Sequence, residues 1–165
     1  MVIRPEIAED EACIGAVISA AFGNALHSDG NEAAIVERLR QDGQLTVSFV
    51  AVIGGKTVGH IAFSPVRIGG ETGDWFGLAP LSVHPRFQRR GIGAALVREG
   101  LGQLRMIRAG GCVVLGDPEY YGRFGFESVS TLTYCGESSP FFQSLTMRGE
   151  APTGDVEYHG VFSEI

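Results

Sequence analysis

Residues 81–99 read LSVHPRFQRRGIGAALVRE, and this order predicts a strand, a turn and then the start of a helix. The run from Leu81 to Val83 is apolar, and the His84-Pro85 pair is typical of a tight turn. Gly91 and Gly93 have no side chains, so a ligand can approach the backbone closely there. The first amides of the following helix have no intrahelical acceptor and lie at the positive end of the helix dipole. The segment therefore favours binding of an anion.

The same segment concentrates positive charge. Between residues 85 and 108 there are six arginines and one acid, Glu99, which gives a formal charge of +5 within a chain of net charge −6. Such a loop is expected to bind a ligand that carries phosphate groups. The arginines are Arg86, Arg89, Arg90, Arg98, Arg105 and Arg108.

Two motifs in this sequence resemble those of one enzyme family. Residues Gln88-Arg89-Arg90-Gly91-Ile92-Gly93 resemble the Q/R-x-x-G-x-G/A signature of the GNAT family of acetyl-CoA-dependent N-acetyltransferases. Residues Tyr121-Gly122-Arg123-Phe124-Gly125-Phe126 resemble the Tyr-x-x-x-Gly-Phe of the same family. The carboxyl-terminal part resembles the YhbS-type branch of the family, through Gly116-Asp117-Pro118, Phe141-Phe142 and Tyr158-His159.

The resemblance implies a fold. It predicts one domain over residues 1–165 with the mixed α/β GNAT fold, a central, mostly antiparallel twisted sheet of about seven strands. The fourth and fifth strands would be parallel and splayed apart, and helices would flank both faces of the sheet.

The resemblance also implies an activity and a cofactor site. Acetyl-CoA would be the co-substrate, and its acetyl group would pass to a primary amine by direct attack in a ternary complex. The acceptor stays open between a small molecule, a lysine side chain and a protein amino terminus. The loop amides would hold the pyrophosphate, the strand would hold the pantetheine arm, and the Val83 amide would donate to the oxygen that becomes anionic. The implied cofactor-binding residues are Leu81, Ser82, Val83, Gln88, Arg89, Arg90, Gly91, Ile92, Gly93, Ala94 and Tyr120.

Tyr121 is the predicted catalytic residue. When an amine attacks acetyl-CoA, sulfur departs as a thiolate, and a nearby phenol can supply its proton. Tyr121 stands at the motif position that carries this role in the family. A packed core aromatic is the competing interpretation. No general base can be assigned, since the histidines are isolated in the sequence and Asp117 is explained by helix capping. No Asn lies between residues 115 and 121, so the Asn contacts to pantetheine of many family members cannot be transferred to this chain.

Other functional classes fit less well. A dinucleotide-binding oxidoreductase needs a third glycine or alanine where Leu96 stands. A non-catalytic acyl-CoA-binding module on the same fold would keep the glycine loop and lose the acid, and an intact Tyr121 counts against it.

The net charge of −6 argues against a nucleic-acid partner. The three cysteines, Cys13, Cys112 and Cys135, show no metal-ligand spacing and predict reduced thiols in a cytoplasmic enzyme. No membrane partner is expected, because no stretch approaches about 20 apolar residues.

Hydrophobic periodicity and turn signals predict the remaining elements. Helices are expected over 8–22 and 31–40, with Ile14, Val17 and Ile18 and then Ala34, Ile35 and Leu39 buried. Residues 22–30, which include Asn24, His27 and Asp29, are expected to form an acceptor-binding loop by analogy with the family. A hairpin is expected at Gly54-Gly55, a long helix ending at Gly110-Gly111, and an Asp117-capped helix before Gly125. Strands are expected over 126–134, 140–147 and 156–161, and a homodimer through Phe141-Phe142 is a further hypothesis.

Overall fold

The structure is a computed structural model that describes residues 1–23 and 30–164. The described part contains eight strands, five α-helices and two short 3-10 helices at Ala8–Asp10 and Pro85–Phe87. The strands are β1 (Val2–Pro5), β2 (Val47–Ile53), β3 (Lys56–Ile68), β4 (Glu71–Val83), β5 (Gly111–Leu115), β6 (Leu132–Tyr134), β7 (Phe142–Thr146) and β8 (Gly154–Glu157). The helices are α1 (Glu11–Phe22), α2 (Glu32–Gln41), α3 (Ile92–Met106), α4 (Pro118–Gly122) and α5 (Val161–Glu164). The predicted acceptor loop at Asn24, His27 and Asp29 lies outside the described residues.

All eight strands join one sheet in the order β1-β2-β3-β4-β5-β7, and β8 pairs with both β3 and β6. The β4–β5 pair is parallel, as predicted, and only Trp75–Gly77 of β4 takes part in it. Beyond Gly77, β4 continues to Val83 without pairing to β5. We call the opening between residues 78–83 and the end of β5 the wedge. The mixed α/β fold with its splayed parallel pair is confirmed, with eight strands where about seven were expected.

A bulge in β4 lies where the wedge begins. Ile61 of β3 pairs with Leu81, and Phe63 pairs with Leu78, so Ala79 and Pro80 together face one residue of β3. The extra residue bends a bulged strand and increases its twist. Proline is tolerated at a bulge because its missing N–H is not needed by the ladder.

Helices cover both faces of the sheet. On one face, α3 buries Val97, Leu101 and Leu104 against β2 and β3, and Ala94 is buried in its first turn. On the other face, α1 buries Ile14, Val17 and Ile18, as predicted. For α2 the prediction was partly wrong, because Ala34 is exposed and Val36 is buried in its place. Around the helix axis Val36 lies on the far side of Leu39 from Ala34, so the buried face is rotated away from the one that the pattern favoured.

The predicted end of the long helix was wrong. The helix ends at Met106, and Arg108 takes the left-handed conformation (φ 62°) that Gly110 was expected to supply. The Ala109 amide donates to the Leu104 carbonyl at 2.9 Å and the Arg108 amide to Arg105 at 3.0 Å, which is a Schellman motif. Gly111 is instead covered by Trp75, since a Cβ there would lie 2.4 Å from the indole ring.

The carboxyl-terminal strands are shorter than predicted. Only Leu132–Tyr134 of the expected strand at 126–134 forms a strand, and Glu127 makes an isolated antiparallel bridge with Ser144 of β7. The strand expected over 156–161 ends at Glu157, and Val161 begins α5, its amide held by His159 Nδ1 at 3.0 Å. The Asp117 cap is confirmed, but α4 ends at Gly122. Phe142 is buried and Phe141 exposed, so only Phe141 is available to the homodimer hypothesis, which stays a prediction.

Candidate active site

The glycine loop joins β4 to α3 and leaves its amides open. Gly91 is the residue before the helix and has a φ of 78°, a left-handed conformation that glycine adopts without steric cost. Arg89 is also left-handed, with a φ of 64°. The Ala95 amide donates to the Gly91 carbonyl at 3.0 Å, so the amides of the residues between them have no intrahelical acceptor. Successive backbone N–H groups that are left open in such a turn form a concavity that suits an anion.

A cavity of about 400 Å³ lies over this loop, and we call it the loop-side cavity. It brings together residues of β4, of the glycine loop and of α4. Its walls include nine of the eleven predicted cofactor-binding residues: Leu81, Val83, Gln88, Arg89, Gly91, Ile92, Gly93, Ala94 and Tyr120. Phe87 and Arg123 also line it, and sequence reasoning had assigned neither to the site. Arg123 lies inside the quoted Tyr121–Phe126 motif, which was the signal available for it.

Ser82 and Arg90 are the two predicted residues outside this lining. The Ser82 side chain is 1% exposed and is directed to the opposite face of the strand from Leu81 and Val83. The Arg90 guanidinium lies over the Phe87 ring, 5.2 Å from its centroid. Neither side chain takes part in the cavity.

The backbone N–H and C=O groups of Ser82 also point away from those of Leu81 and Val83. The His84 amide donates to the Val58 carbonyl of β3 at 2.8 Å. Neighbouring residues of a strand direct their N–H and C=O groups to opposite edges. The main-chain groups of Ser82 therefore face β3, and those of Leu81 and Val83 face the wedge. The Gln88 amide confirms this direction, since its Nε2 donates to the Val83 carbonyl at 3.0 Å and fixes the loop to the strand.

Tyr120 of α4 and Arg123, the residue after α4, close the loop-side cavity. A Cβ at Gly93 would lie 2.8 Å from the Tyr120 hydroxyl oxygen, so this phenol stands directly over the first turn of α3. The Arg123 guanidinium lies over the Tyr120 ring, 4.6 Å from its centroid. Burial raises the pKa of Tyr120, and the charge of Arg123 opposes that rise. The phenol is thus neutral, and the cavity carries the positive charge of Arg89 and Arg123.

A second cavity of about 380 Å³ lies on the α1 and α2 side, and we call it the helix-side cavity. It shares Leu81 with the loop-side cavity, so the two meet in the wedge. The bulge residues Ala79 and Pro80 form its floor. Its other lining residues are Phe22, Glu32, Ile35, Leu78, Leu115, Tyr121 and Phe162. Phe22 is the first residue of the predicted acceptor loop at 22–30, and Glu32 follows that loop by two residues.

Tyr121 is held in this second cavity by its backbone and by aromatic contacts. Asp117 caps α4 by accepting from the Glu119 amide at 2.9 Å, which places Tyr121 after β5. The ring meets Tyr120 and Phe126 edge to face, at centroid distances of 5.0 and 5.9 Å. Burial raises the pKa of Tyr121 far above its ordinary value, so the hydroxyl keeps its proton at neutral pH. A group in this state can donate a proton.

The titratable groups that sequence reasoning considered as bases have other partners. His84 Nδ1 accepts from the Arg86 amide at 3.2 Å, and His159 Nε2 lies 3.0 Å from Asp42. His60 is buried, with Nε2 at 2.8 Å from the Ser48 hydroxyl, and burial lowers its pKa to about 4. Across residues 1–23 and 30–164, no group of three or more metal-ligating side chains is present. None of the helices in that part of the chain is long and apolar enough to span a membrane.

Known proteins are similar to this chain over almost its whole length. The family model described as "Acetyltransferase (GNAT) domain" matches residues 44–128. The protein named "Uncharacterized N-acetyltransferase YhbS" of Escherichia coli K12 is 39% identical over 171 residues, which cover 99% of both chains.

Two solved structures agree with this assignment. A GNAT family acetyltransferase from Brucella melitensis, in complex with acetyl-CoA, is 46% identical with a TM-score of 0.88 over 98% of this chain and 97% of that one. The structure of E. coli YhbS in complex with CoA is 36% identical with a TM-score of 0.90 over 99% of this chain and 92% of that one. With its two motifs, its splayed sheet and these relatives, this chain belongs to the GNAT family of N-acetyltransferases.

Proposed function

We propose that this enzyme transfers the acetyl group of acetyl-CoA to a primary amine, with both substrates bound at once. The observation that carries the proposal is the meeting of two cavities at Leu81, one beside the glycine loop and the other beside Tyr121. Support for the cofactor comes from the relatives, since the Brucella protein binds acetyl-CoA and E. coli YhbS binds CoA.

The loop-side cavity would hold the cofactor. The free amides at residues 92–94, together with Arg89 and Arg123, suit the pyrophosphate, because backbone donors, the helix dipole and guanidinium charge all favour an anion. The main-chain groups of Leu81 and Val83 that face the wedge suit the amides of the pantetheine arm. The Val83 amide would donate to the thioester oxygen as it becomes anionic, and one such preorganised donor is worth about 3 kcal/mol in the transition state.

Tyr121 would act as the general acid. The amine nitrogen forms a bond to the acetyl carbon, the bond between that carbon and sulfur breaks, and the Tyr121 hydroxyl gives its proton to the departing thiolate. The nitrogen loses its extra proton to solvent, and solvent returns a proton to the Tyr121 oxygen. Its raised pKa keeps the hydroxyl protonated at neutral pH, so the proton is present when the thiolate departs. The helix-side cavity would hold the amine, since it contains Tyr121 and meets the loop-side cavity at Leu81 in the wedge. Direct transfer needs no covalent enzyme intermediate.

The experiment is a measurement of CoA thiol release from acetyl-CoA across a panel of small amines and peptides. We expect amine-dependent release by the wild type and a loss of about 100-fold or more in kcat for Tyr121→Phe, with binding of acetyl-CoA retained. Tyr120→Phe is the matched control, because its hydroxyl faces the loop-side cavity and should affect the KM for acetyl-CoA more than kcat. Equal release by the wild type and Tyr121→Phe would remove Tyr121 from the mechanism. No release with any amine would refute acetyl transfer to amines.

A further inference from the structure

Two arginines meet at one aromatic ring beside the loop-side cavity. The guanidinium carbon of Arg98 lies 5.3 Å from the centroid of the Phe124 ring, and that of Arg123 lies 5.3 Å from the same centroid. The two carbons are therefore separated by at most twice that distance. Arg123 also covers the Tyr120 ring, and both of these residues line the cavity itself. We call Arg98, Phe124 and Arg123 the arginine cluster.

The position of Arg98 on α3 places it on the side of the helix that faces the cavity. Ala94 lines the cavity, and Arg98 follows it by four residues, so the two side chains are neighbours on the helix surface. Four residues advance about 6 Å along a helix axis, which places Arg98 one turn further from the glycine loop than Ala94. The charge of Arg98 also acts on the cavity wall. Burial raises the pKa of Tyr120, and the charges of Arg123 and Arg98 oppose that rise.

No carboxylate balances the two charges of the cluster in the part of the chain that the structure describes. Neither Arg98 nor Arg123 forms a salt bridge there, although Arg123 Nε donates to the Tyr120 carbonyl at 3.3 Å. Arg40 of α2, in comparison, lies 2.9 Å from Glu6. Both arginines of the cluster are exposed, so a ligand can reach them. Because like charges repel, two guanidinium groups at one ring without an acid favour the binding of an anion.

We propose that the arginine cluster binds the 3′-phosphate of CoA, as a subsite separate from the glycine loop. The inference rests on acetyl-CoA being the donor, as proposed above. CoA carries this phosphate monoester on the same ribose whose 5′ oxygen bears the pyrophosphate, so the two anions are one sugar apart. A phosphate monoester carries a charge of roughly −1.5 to −2 at pH 7, and the guanidinium fork binds phosphate oxygens through two parallel hydrogen bonds. The cluster suits the monoester in charge, and its place one helical turn beyond the loop suits it in position.

The test measures the binding of acetyl-CoA and of 3′-dephospho-acetyl-CoA by calorimetry, in the wild type and in Arg98→Gln. We expect the wild type to bind acetyl-CoA about 10-fold or more tightly than the analogue, because the analogue lacks the anion that the cluster holds. Arg98→Gln should weaken the binding of acetyl-CoA by about 5-fold or more and change that of the analogue by less than about 2-fold. Arg98→Lys keeps the charge without the fork, so it should retain part of the preference for acetyl-CoA.

Arg105→Gln is the matched control, since it removes the same charge from another exposed arginine of α3. Among the described residues Arg105 has no aromatic ring beneath its guanidinium, and it lines neither the loop-side nor the helix-side cavity. We expect wild-type affinity for both ligands in this variant.

Three results would overturn the subsite. A wild type that binds both ligands equally well would do so and leave acetyl transfer standing. Equal weakening of both ligands in Arg98→Gln would assign Arg98 to the packing of α3 against Phe124 instead. A wild type that binds neither ligand would overturn acetyl-CoA as the donor, and the subsite with it.

Discussion

Gly77→Ala tests the packing on which the geometry of the wedge depends. The new methyl carbon would lie 2.4 and 2.9 Å from two ring carbons of Tyr158 and 3.1 Å from Cγ1 of Val66. Carbon atoms in contact prefer a separation of about 3.5–4.0 Å, so the ring has to move by about 1 Å. The neighbouring rings of Tyr134 and Phe162, at 5.5 and 5.4 Å, resist that movement.

Overpacking of this kind costs about 1–3 kcal/mol of the free energy of unfolding. In a chain of this size, that corresponds to a melting temperature lower by roughly 3–10 °C. Thermal unfolding followed by circular dichroism measures the change. The control is Gly102→Ala in α3, where no atom lies within 4 Å of the new Cβ and the helix gains about 0.5–1 kcal/mol.

A double-mutant cycle assigns the cost to Tyr158. In a Tyr158→Ala background the ring is gone, so Gly77→Ala should lose most of its effect and the two changes should be strongly non-additive. A Gly77→Ala variant as stable as the wild type would refute the close contact. A penalty that persists without the ring would attribute it to Val66 or to the sheet instead.

Two other properties of the chain can be tested directly. Gly91→Ala forces a residue with a Cβ into a φ of 78°, which costs about 1–2 kcal/mol. The loop amides should shift, so calorimetry should show at least 10-fold weaker binding of acetyl-CoA. An unchanged Kd would contradict the assignment of the loop as the anion site. His60 has a pKa lowered from 6.5 to about 4, so the unfolded chain takes up the proton first and stability is lost as pH falls between these values, by up to about 3 kcal/mol. Urea unfolding of the wild type and His60→Gln at pH 7, 5.5 and 4 should show a difference that changes only within this window, and parallel curves would disprove the buried neutral imidazole.

The part of the site that the sequence predicts is the part built by neighbours in the chain. Residues 81–94 form the strand end, the loop and the helix start in succession, and their roles depend on local geometry that Gly91 and the apolar period of α3 determine. The Asp117 cap is local for the same reason. Local chemistry of this kind is independent of how distant parts of the fold pack.

The unpredicted part depends on contacts between residues far apart in the sequence. Tyr158 reaches Gly77 only because β8 pairs with the end of β3, which places its following residue over the sheet. A glycine within an apolar strand signals a close approach, but it does not say which side chain arrives. The bulge at Ala79 and Pro80 likewise depends on the register with β3.

The end of α3 shows the same limit in another form. Two glycines after an apolar helix pattern favour a glycine terminator, yet Arg108 adopts the left-handed conformation and Gly111 lies under Trp75. Local preference was outweighed by the space that the indole ring requires. The glycine pair after the helix was rightly predicted to matter for the structure, but its role is to make room for Trp75 and not to end α3.

The two cavities have separate lining residues apart from Leu81, and this separation affects how the specificity of the enzyme can evolve. Leu81 is common to both cavities, but otherwise the loop-side walls come from Val83, the glycine loop, the start of α3, Tyr120 and Arg123, and the helix-side walls include residues of α1, α2 and α5. Mutations at Phe22, Ile35 or Phe162 can therefore reshape the proposed acceptor cavity without changing any side chain that lines the loop-side cavity. If the proposed acceptor cavity is the right one, substitutions in those helices can change the acceptor while the acetyl donor stays the same. Among residues 1–23 and 30–164, Leu81 alone lines both cavities, so a change there would alter both specificities at once.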